Sequence, residues 1–380
     1  MPYINRYILK PIFNDFQAGK VLLLTGARRT GKTELLKDLS QIIQGEILHL
    51  NGEDSNTQEL FEPISKANYD LVFRRYTHIF IDEAQKIPEI GKKLKFLVDN
   101  LSQLKIIATG SSSFDFSRQF GEPLTGRKKT YHLYPISIQE FMQHENIQET
   151  QSKLPERLIY GSYPELLKLQ SKDEKEDYLY ELADDYLFKD ILEFKGIKNS
   201  DKIKDLLRLV AFQIGNEISL NELSRQLQIH KDTVARYLDL LSKVFVIFKL
   251  EGFSRNLRKE ITKMSRYYFY DNGIRNLLIR NFNSLEVRQD QGQLWENFVV
   301  SERVKFQSYQ RLHTSNYFWR TYDQQEIDWI EENNGELHAY EMKWNSNKTV
   351  KKPSAWKNAY PEAKFDIIHP KNYLNWLTNK

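Results

Sequence analysis

Along the first third of the chain, short uninterrupted apolar runs alternate with stretches in which apolar residues recur every three or four positions. Val21-Leu22-Leu23-Leu24 is apolar throughout, the mark of a strand covered on both faces in a parallel sheet. Further runs lie at Glu46–Leu50, Ile79–Ile81 and Lys105–Ala108, separated by helical stretches that include Glu34–Leu39 and Gly91–Leu101. Strand alternating with helix predicts a three-layer α/β/α domain over residues 1–150, entered through a short helix within residues 1–17. Residues 151–215 change to helices without strands, among them Asp173–Phe194. Residues 216–254 fit a winged helix-turn-helix that ends in the strand Val244–Leu250. Residues 255–380 return to mixed α/β, with strands expected at Tyr267–Tyr270, Tyr317–Arg320, Glu326–Glu331 and Leu337–Lys343. A helix near Leu294–Gln307 sits among them.

Composition narrows the class. At 380 residues the chain exceeds one typical domain, and 40% hydrophobic with 28% charged residues is an ordinary globular balance. A net charge of +4 permits nucleic-acid binding without demanding it. The absence of cysteine excludes disulfides and cysteine-ligated zinc. No window reaches 18 consecutive apolar residues, and the N-terminus lacks a signal-peptide core. The expectation is a cytoplasmic protein that does not span a membrane.

Gly26-Ala27-Arg28-Arg29-Thr30-Gly31-Lys32-Thr33 fits the phosphate-loop pattern G-x-x-x-x-G-K-[ST], between a buried strand and a helix. The glycines let successive N–H groups face phosphates, and the helix adds its positive end. Lys32 then reaches the β- and γ-phosphates of ATP, and the Thr33 hydroxyl ligates Mg²⁺. About 50 residues on, His78-Ile79-Phe80-Ile81-Asp82-Glu83 ends a strand in paired carboxylates. Asp82 is expected in the Mg²⁺ shell, with Glu83 activating the attacking water. The strand Lys105–Ala108 runs into Thr109-Gly110-Ser111-Ser112-Ser113, whose hydroxyls can sense the γ-phosphate. A cation for the developing charge is sought in Arg127, with Arg118 as second choice.

In the third segment, Ser219-Leu220-Asn221-Glu222 reads as a capping box. Leu223 and Leu227 of one helix, with Val234, Leu238 and Leu241 of the next, point inward. Lys231, Thr233, Arg236 and Tyr237 are expected outward, suited to DNA phosphates and base edges. The strand Val244–Leu250 and the basic run Arg255–Lys259 would form the wing. The plainer alternative is a winged-helix lid that touches no nucleic acid.

Near the end, Asn334-Gly335 is a strong two-residue hairpin signal. It pairs residue 333 with 336, and by the same register Asp328 with Glu341 and Glu326 with Lys343. Alternation puts Ile327, Trp329, Tyr340, Met342 and Trp344 on one face, and Glu326, Asp328, Glu341 and Lys343 on the other. Opposed carboxylates repel, and a divalent cation would relieve them. The layout is that of an Asp…Glu-x-Lys nuclease centre, with Lys343 activating water and Glu296 of the preceding helix completing the set. The alternative is that Lys343 bridges Glu326 and Asp328 on a solvated face.

The runs LLLTGARRTGKTELLKDL, IFIDEAQKIPEIG, KIIATGSSSFDF, LTGRKKTYHLYPISIQEF and LIYGSYPELL resemble those of a prokaryotic family of AAA-type P-loop ATPases. Its members join an ATPase core to a C-terminal domain of unknown function with a restriction-endonuclease-like fold. The resemblance implies a helical lid over 151–215 and the roles above for Lys32, Thr33, Asp82 and Glu83. It also implies Ser111 or Thr109 as sensor, Arg127 as inter-subunit arginine, a hexameric homo-oligomer, and the same four C-terminal residues at a nuclease-like centre. No residue matches a second sensor arginine in the lid. The leading expectation is therefore ATP hydrolysis with Mg²⁺ driving DNA binding or remodelling. The other is a nucleotide-gated switch that controls protein partners without cleaving DNA. Phosphotransfer to a small molecule is disfavoured, because Asp82-Glu83 suits water as acceptor.

Overall fold

In β1 (Val21–Thr25) every residue is buried, and both of its edges are hydrogen-bonded. Leu22 lies opposite Ile107 on one side and Lys129 on the other. That is why this stretch tolerates no polar side chain before Thr25. The computed structural model describes residues 4–110, 124–183, 200–254, 265–347 and 350–378. They fall into two compact units, Asn5–Pro135 with Lys243–Phe245, and Ile136–Ser242 with Val246–Lys380 and the extreme N-terminus.

The first unit is built on a parallel sheet of β1, β2 (Ile47–Asn51), β3 (His78–Asp82), β4 (Lys105–Gly110) and β5 (Lys128–His132), in the order β2-β3-β4-β1-β5. Parallel strands need helical crossovers, and Lys32–Ile42 and Ile90–Asn100 are two of the helices that supply them. On one face Leu23, Ile79, Ile81, Ile106 and Ala108 pack with Leu94 and Leu97 of the second helix, and with Phe61, Tyr69 and Phe73. Each large apolar side chain buried there contributes about 1.5–3 kcal/mol. The strand β5 was not expected. It lies at the sheet edge, and its Lys128-Lys129-Thr130 start carries no apolar signal.

The helices of the second unit include Leu154–Tyr160, Lys172–Leu182, Ser200–Phe212, Leu220–Leu227 and Lys231–Lys243. Its sheet joins β6 (Glu217–Ile218), β7 (Ile247–Gly252), β8 (Ser265–Phe269), β9 (Ser315–Arg320), β10 (Glu326–Asn333), β11 (Glu336–Met342) and β12 (Lys364–Ile368). The order is β12-β11-β10-β9-β7-β8-β6. The strand expected as part of the wing is thus an interior strand of this sheet. β7 pairs antiparallel with β8 and parallel with β9, so a boundary at residue 254 cuts through a continuous sheet. The reason is that both edges of β7 carry backbone groups which a buried sheet must satisfy. The helix Gln291–Gln310 extends the predicted one, with Trp295, Phe298 and Val299 buried as expected.

The hairpin register holds at its turn, where Asn333 pairs with Glu336 and Trp329 with Tyr340. The expected polar face holds, but the expected apolar face loses Ile327. A bulge between Ile327 and Ile330 shifts the pairing with β9 by one residue, and an extra residue on one strand turns every later side chain over. Ile327 therefore joins Ile330, Leu337 and Ala339 in one core cluster. Trp329 instead donates its indole N–H to Glu331 Oε1.

Candidate functional site

Because all five strands of the first unit run the same way, the ends of β1, β3 and β4 open on one edge, and the motif residues meet there. Gly26 passes so close to the backbone of Leu133 that a Cβ would lie 2.1 Å from its carbonyl oxygen. Gly31 takes φ +97° at the cap of the helix Lys32–Ile42. Between them the Thr30 hydroxyl donates to the Ala27 carbonyl at 2.8 Å. Lys32 donates to the Gly26 and Ala27 carbonyls at 3.0 and 2.9 Å, so its ammonium spans the loop's mouth. Arg28 and Arg29 lie within the loop, Arg29 with φ +62°.

The Thr33 hydroxyl donates to Asp82 Oδ2 at 2.7 Å. Thr109 donates to the other carboxylate oxygen of Asp82 and accepts from the Glu83 N–H at 3.2 Å. One threonine thus locks the two acidic residues together. Glu83 itself sits at φ +47°, and its carboxylate accepts from Gln85 Nε2 at 2.6 Å. Of the two sensor alternatives, Thr109 is on this chain of contacts. Ser111 and Arg118 lie outside the described residues. Arg127 lies at the opposite end of the sheet, where its carbonyl accepts from Val21 N and its Nε contacts Asp99 at 2.7 Å.

Two residues at this site were missed. Gln85 follows the paired carboxylates with nothing in its local spacing to mark a role. Arg6, buried at 7% exposure, donates to the carbonyls of Thr30 at 2.5 Å and Tyr134 at 2.6 Å. No local pattern signals a contact made across 24 and 128 positions.

In the helix-turn-helix, Ser219 caps from its hydroxyl. Glu222 does not return the bond and takes Gln226 instead, so the capping box is half formed. Leu223, Leu227, Val234, Leu238 and Leu241 are buried as expected. Lys231 and Arg236 are exposed and Thr233 is half-buried. Tyr237 is not outward: it is 3% exposed, because the second helix buries a wider face than its leucine spacing implied. The acidic Asp232 and Asp239 share the exposed face. The basic run Arg255–Lys259 lies outside the described residues.

At the C-terminal centre the five anticipated side chains, Glu296, Glu326, Asp328, Glu341 and Lys343, come together around a residue that was not anticipated. Arg266 of β8 is 3% exposed. It donates to Glu326 at 2.9 Å and lies 3.6 Å from Asp328 and 3.7 Å from Glu296. Its guanidinium stacks 4.7 Å from the Phe318 ring centroid. Lys343 contacts Glu341 at 2.6 Å and Asp328 at 3.8 Å. Asp328 Oδ2 accepts from the Met342 N–H. The Tyr268 hydroxyl donates to Glu296 at 2.7 Å. Asp328 and Glu341 are buried, which removes the solvated-face alternative. Burial, reinforced by the neighbouring Asp328, pushes Glu296 up to about 8 and Glu341 up to about 7. Burial opposes the charge of Arg266, but the surrounding Tyr268 and carboxylates raise it above its ordinary value. The oxygens a divalent ion would need face two protein cations, and among the described residues no three acidic or histidine side chains form a metal-holding group. Alternation of Arg266 and Tyr268 along one strand was the signal available in sequence.

Residues 18–142 match the family model of an AAA domain. Residues 151–285 match a domain of unknown function (DUF8612), and 291–375 another (DUF4143). An uncharacterized protein of Methanocaldococcus jannaschii is 25% identical over 375 residues, covering 93% of this chain and 81% of the relative. A signal transduction ATPase with numerous domains from Pyrococcus horikoshii aligns with TM-score 0.31 and 14% identity. That alignment covers 81% of this chain and 47% of the other, so this chain spans about half its length. The RuvB Holliday junction branch migration motor of Thermotoga maritima aligns with TM-score 0.33 and 15% identity, over 64% of this chain and 89% of that one. No helix among the described residues is long and apolar enough to cross a membrane. The phosphate loop after β1 and the Asp-Glu end of β3, on parallel strands with β4 between them, lie within the segment that matches an AAA domain, so the chain carries an AAA-type P-loop ATPase domain followed by a C-terminal DUF4143 domain.

Proposed function

We propose that the first unit hydrolyses Mg²⁺-bound ATP to ADP and phosphate, with Glu83 as the base that activates water. The observation that carries this reading is the continuous chain Thr33–Asp82–Thr109–Glu83. Thr33 and Asp82 offer the hard oxygen donors that Mg²⁺ prefers, so they are the residues that would hold it. When bound, the ion neutralises charge on the β- and γ-phosphate oxygens. The remaining work falls to the chain. The loop N–H groups from Gly26 to Thr33 bind phosphate, and Lys32 exchanges its two carbonyl partners for phosphate oxygens. Glu83 accepts the proton of water once its carboxylate leaves Gln85. Arg127 precedes the Val21–Lys128 pair, about six residues or roughly 20 Å along the strand from its own loop at about 3.3 Å per residue. Its role is therefore toward the nucleotide of a neighbouring copy in a homo-oligomer.

Turnover is read as driving DNA binding or remodelling, with Lys231, Thr233 and Arg236 as contacts and Tyr237 as a core support. A second reading is a nucleotide-gated switch that binds protein partners. The acidic Asp232 and Asp239 beside those bases favour it, since they repel phosphate. In both readings the C-terminal cluster binds or braces rather than cleaves.

The deciding measurement is steady-state ATP hydrolysis with single-stranded, duplex and branched DNA, with Glu83→Gln as inactive control. Severalfold stimulation by one form, lost in the control, supports the DNA reading. Turnover that ignores all three moves the weight to protein partners. No Glu83-dependent turnover under any condition sinks both.

A further inference from the structure

A guanidinium in a nearly water-free site loses its hydration, which costs several kcal/mol unless carboxylates replace it. Arg266 meets that condition on three sides, with Glu296 at 3.7 Å, Asp328 at 3.6 Å and Glu326 at 2.9 Å. The Phe318 ring closes a fourth. Lys343 spans the remaining pair, Asp328 and Glu341. The ε2 oxygen of Glu341 is buried with no hydrogen-bond partner. Four carboxylates thus face two cations fixed by covalent attachment to the sheet. Tyr268 points the same way, because it alternates with Arg266 on β8 and orients Glu296.

We propose that Arg266 is the built-in cation of this cluster. It holds Glu296, Glu326 and Asp328 where a divalent ion would otherwise hold them, and so keeps the C-terminal domain from binding Mg²⁺ or Mn²⁺. Removing the guanidinium leaves Glu296, Glu326 and Asp328, each within 2.9–3.7 Å of its nitrogens, with no cation between them, and Glu341 beside them through Lys343 and Asp328. The site then becomes a metal site. The inference rests on reading the C-terminal cluster as one that does not cleave. The ATPase reading is independent of it, since it stands or falls on Glu83-dependent turnover.

The test uses the full chain without nucleotide, comparing the parent with Arg266→Met, so that any ion at the ATP site is common to both. Thermal melting in EDTA and in Mn²⁺ is followed with Mn²⁺ binding by electron paramagnetic resonance. The parent is expected to melt at the same temperature in both solutions. Arg266→Met is expected to melt several degrees lower in EDTA, because three carboxylates lose their partner. It recovers in Mn²⁺ and binds one more Mn²⁺ per chain, at least tenfold tighter than any C-terminal binding by the parent. Asp328→Asn in that background abolishes the gain. A folded Arg266→Met that neither binds nor responds to Mn²⁺ overturns the proposal. So does a parent chain that binds Mn²⁺ in a manner lost on Asp328→Asn. This last comparison decides even where Arg266→Met does not fold.

Discussion

Arg6 lies outside the phosphate-loop motif yet bonds directly to it, so Arg6→Met separates bracing of the loop from contact with nucleotide. The arginine donates to the carbonyls of Thr30 in the loop and Tyr134 beyond β5, at 2.5 and 2.6 Å, and is 7% exposed. A hydrogen bond that involves a charged group contributes about 1.5–3 kcal/mol when buried. Two of them bound the loss at about 3–6 kcal/mol. Methionine refills much of the volume, and water can reach part of the space, so roughly half of the bound is expected to survive as a real loss. The Thr30 bond bears on the loop. Its share, half of what survives, is about 0.7–1.5 kcal/mol, which predicts a roughly threefold to tenfold weaker Kd for ATP. Titration of a fluorescent ATP analogue measures it, with urea unfolding as the check on overall stability. Arg6→Lys keeps the charge but not the fork, and is expected to fall between. A folded Arg6→Met chain that binds within twofold of the parent would refute the claim that this residue holds the loop in shape.

Three further outcomes follow from the same contacts. Thr109→Val keeps the shape but removes the hydroxyl between Asp82 and Glu83, and kcat should fall about tenfold to hundredfold at nearly unchanged Kd; an unchanged kcat means that Glu83 is oriented by something else. Gly161→Ala puts a methyl 1.9 Å from Asp271 Oδ1 at φ +79°. That carboxylate already accepts from the backbone of Ser162 and Gly273, so destabilisation of about 3 kcal/mol or more is expected in urea unfolding, and a loss below 1 kcal/mol contradicts the packing. The folded-state value of Glu296, about 8, lies above the unfolded value of about 4.3. Its stabilisation is therefore complete below about pH 4 and lost as pH rises toward 8. Glu296→Gln should flatten unfolding free energy against pH over that window, and an unaltered slope counts against the burial argument.

Patterns that are local were legible. β1, β3 and β4 announced themselves as apolar runs because parallel strands bury both faces, and the phosphate loop is contiguous in sequence. The Asn334-Gly335 turn gave the pairing of Asn333 with Glu336. The bulge at Ile327–Ile330 did not show, because the extra residue sits in a stretch of β10 that reads as regular alternation until its pairing with β9 is known. β12 escaped because five residues ending in two isoleucines look like many loop segments. The side chain of Tyr237 was assigned outward from helical spacing, which cannot report how wide a neighbouring surface is. Arg6 and Arg266 act on partners 24 to 128 and 30 to 62 positions away. Charged residues on short polar stretches read as solvent-facing until the fold supplies their partners.

The interior position of β7 also bears on how the chain is made. Its partner β9 is distant: Glu251 lies opposite Tyr317. At about 5–20 residues per second, the ~66 residues between them take roughly 3–13 s to synthesise. Through that interval β7 has an unsatisfied edge, open to other nascent chains. Ribosome-bound intermediates ending between β8 and β9 are thus the stage at which this protein is most exposed to aggregation and most in need of a chaperone.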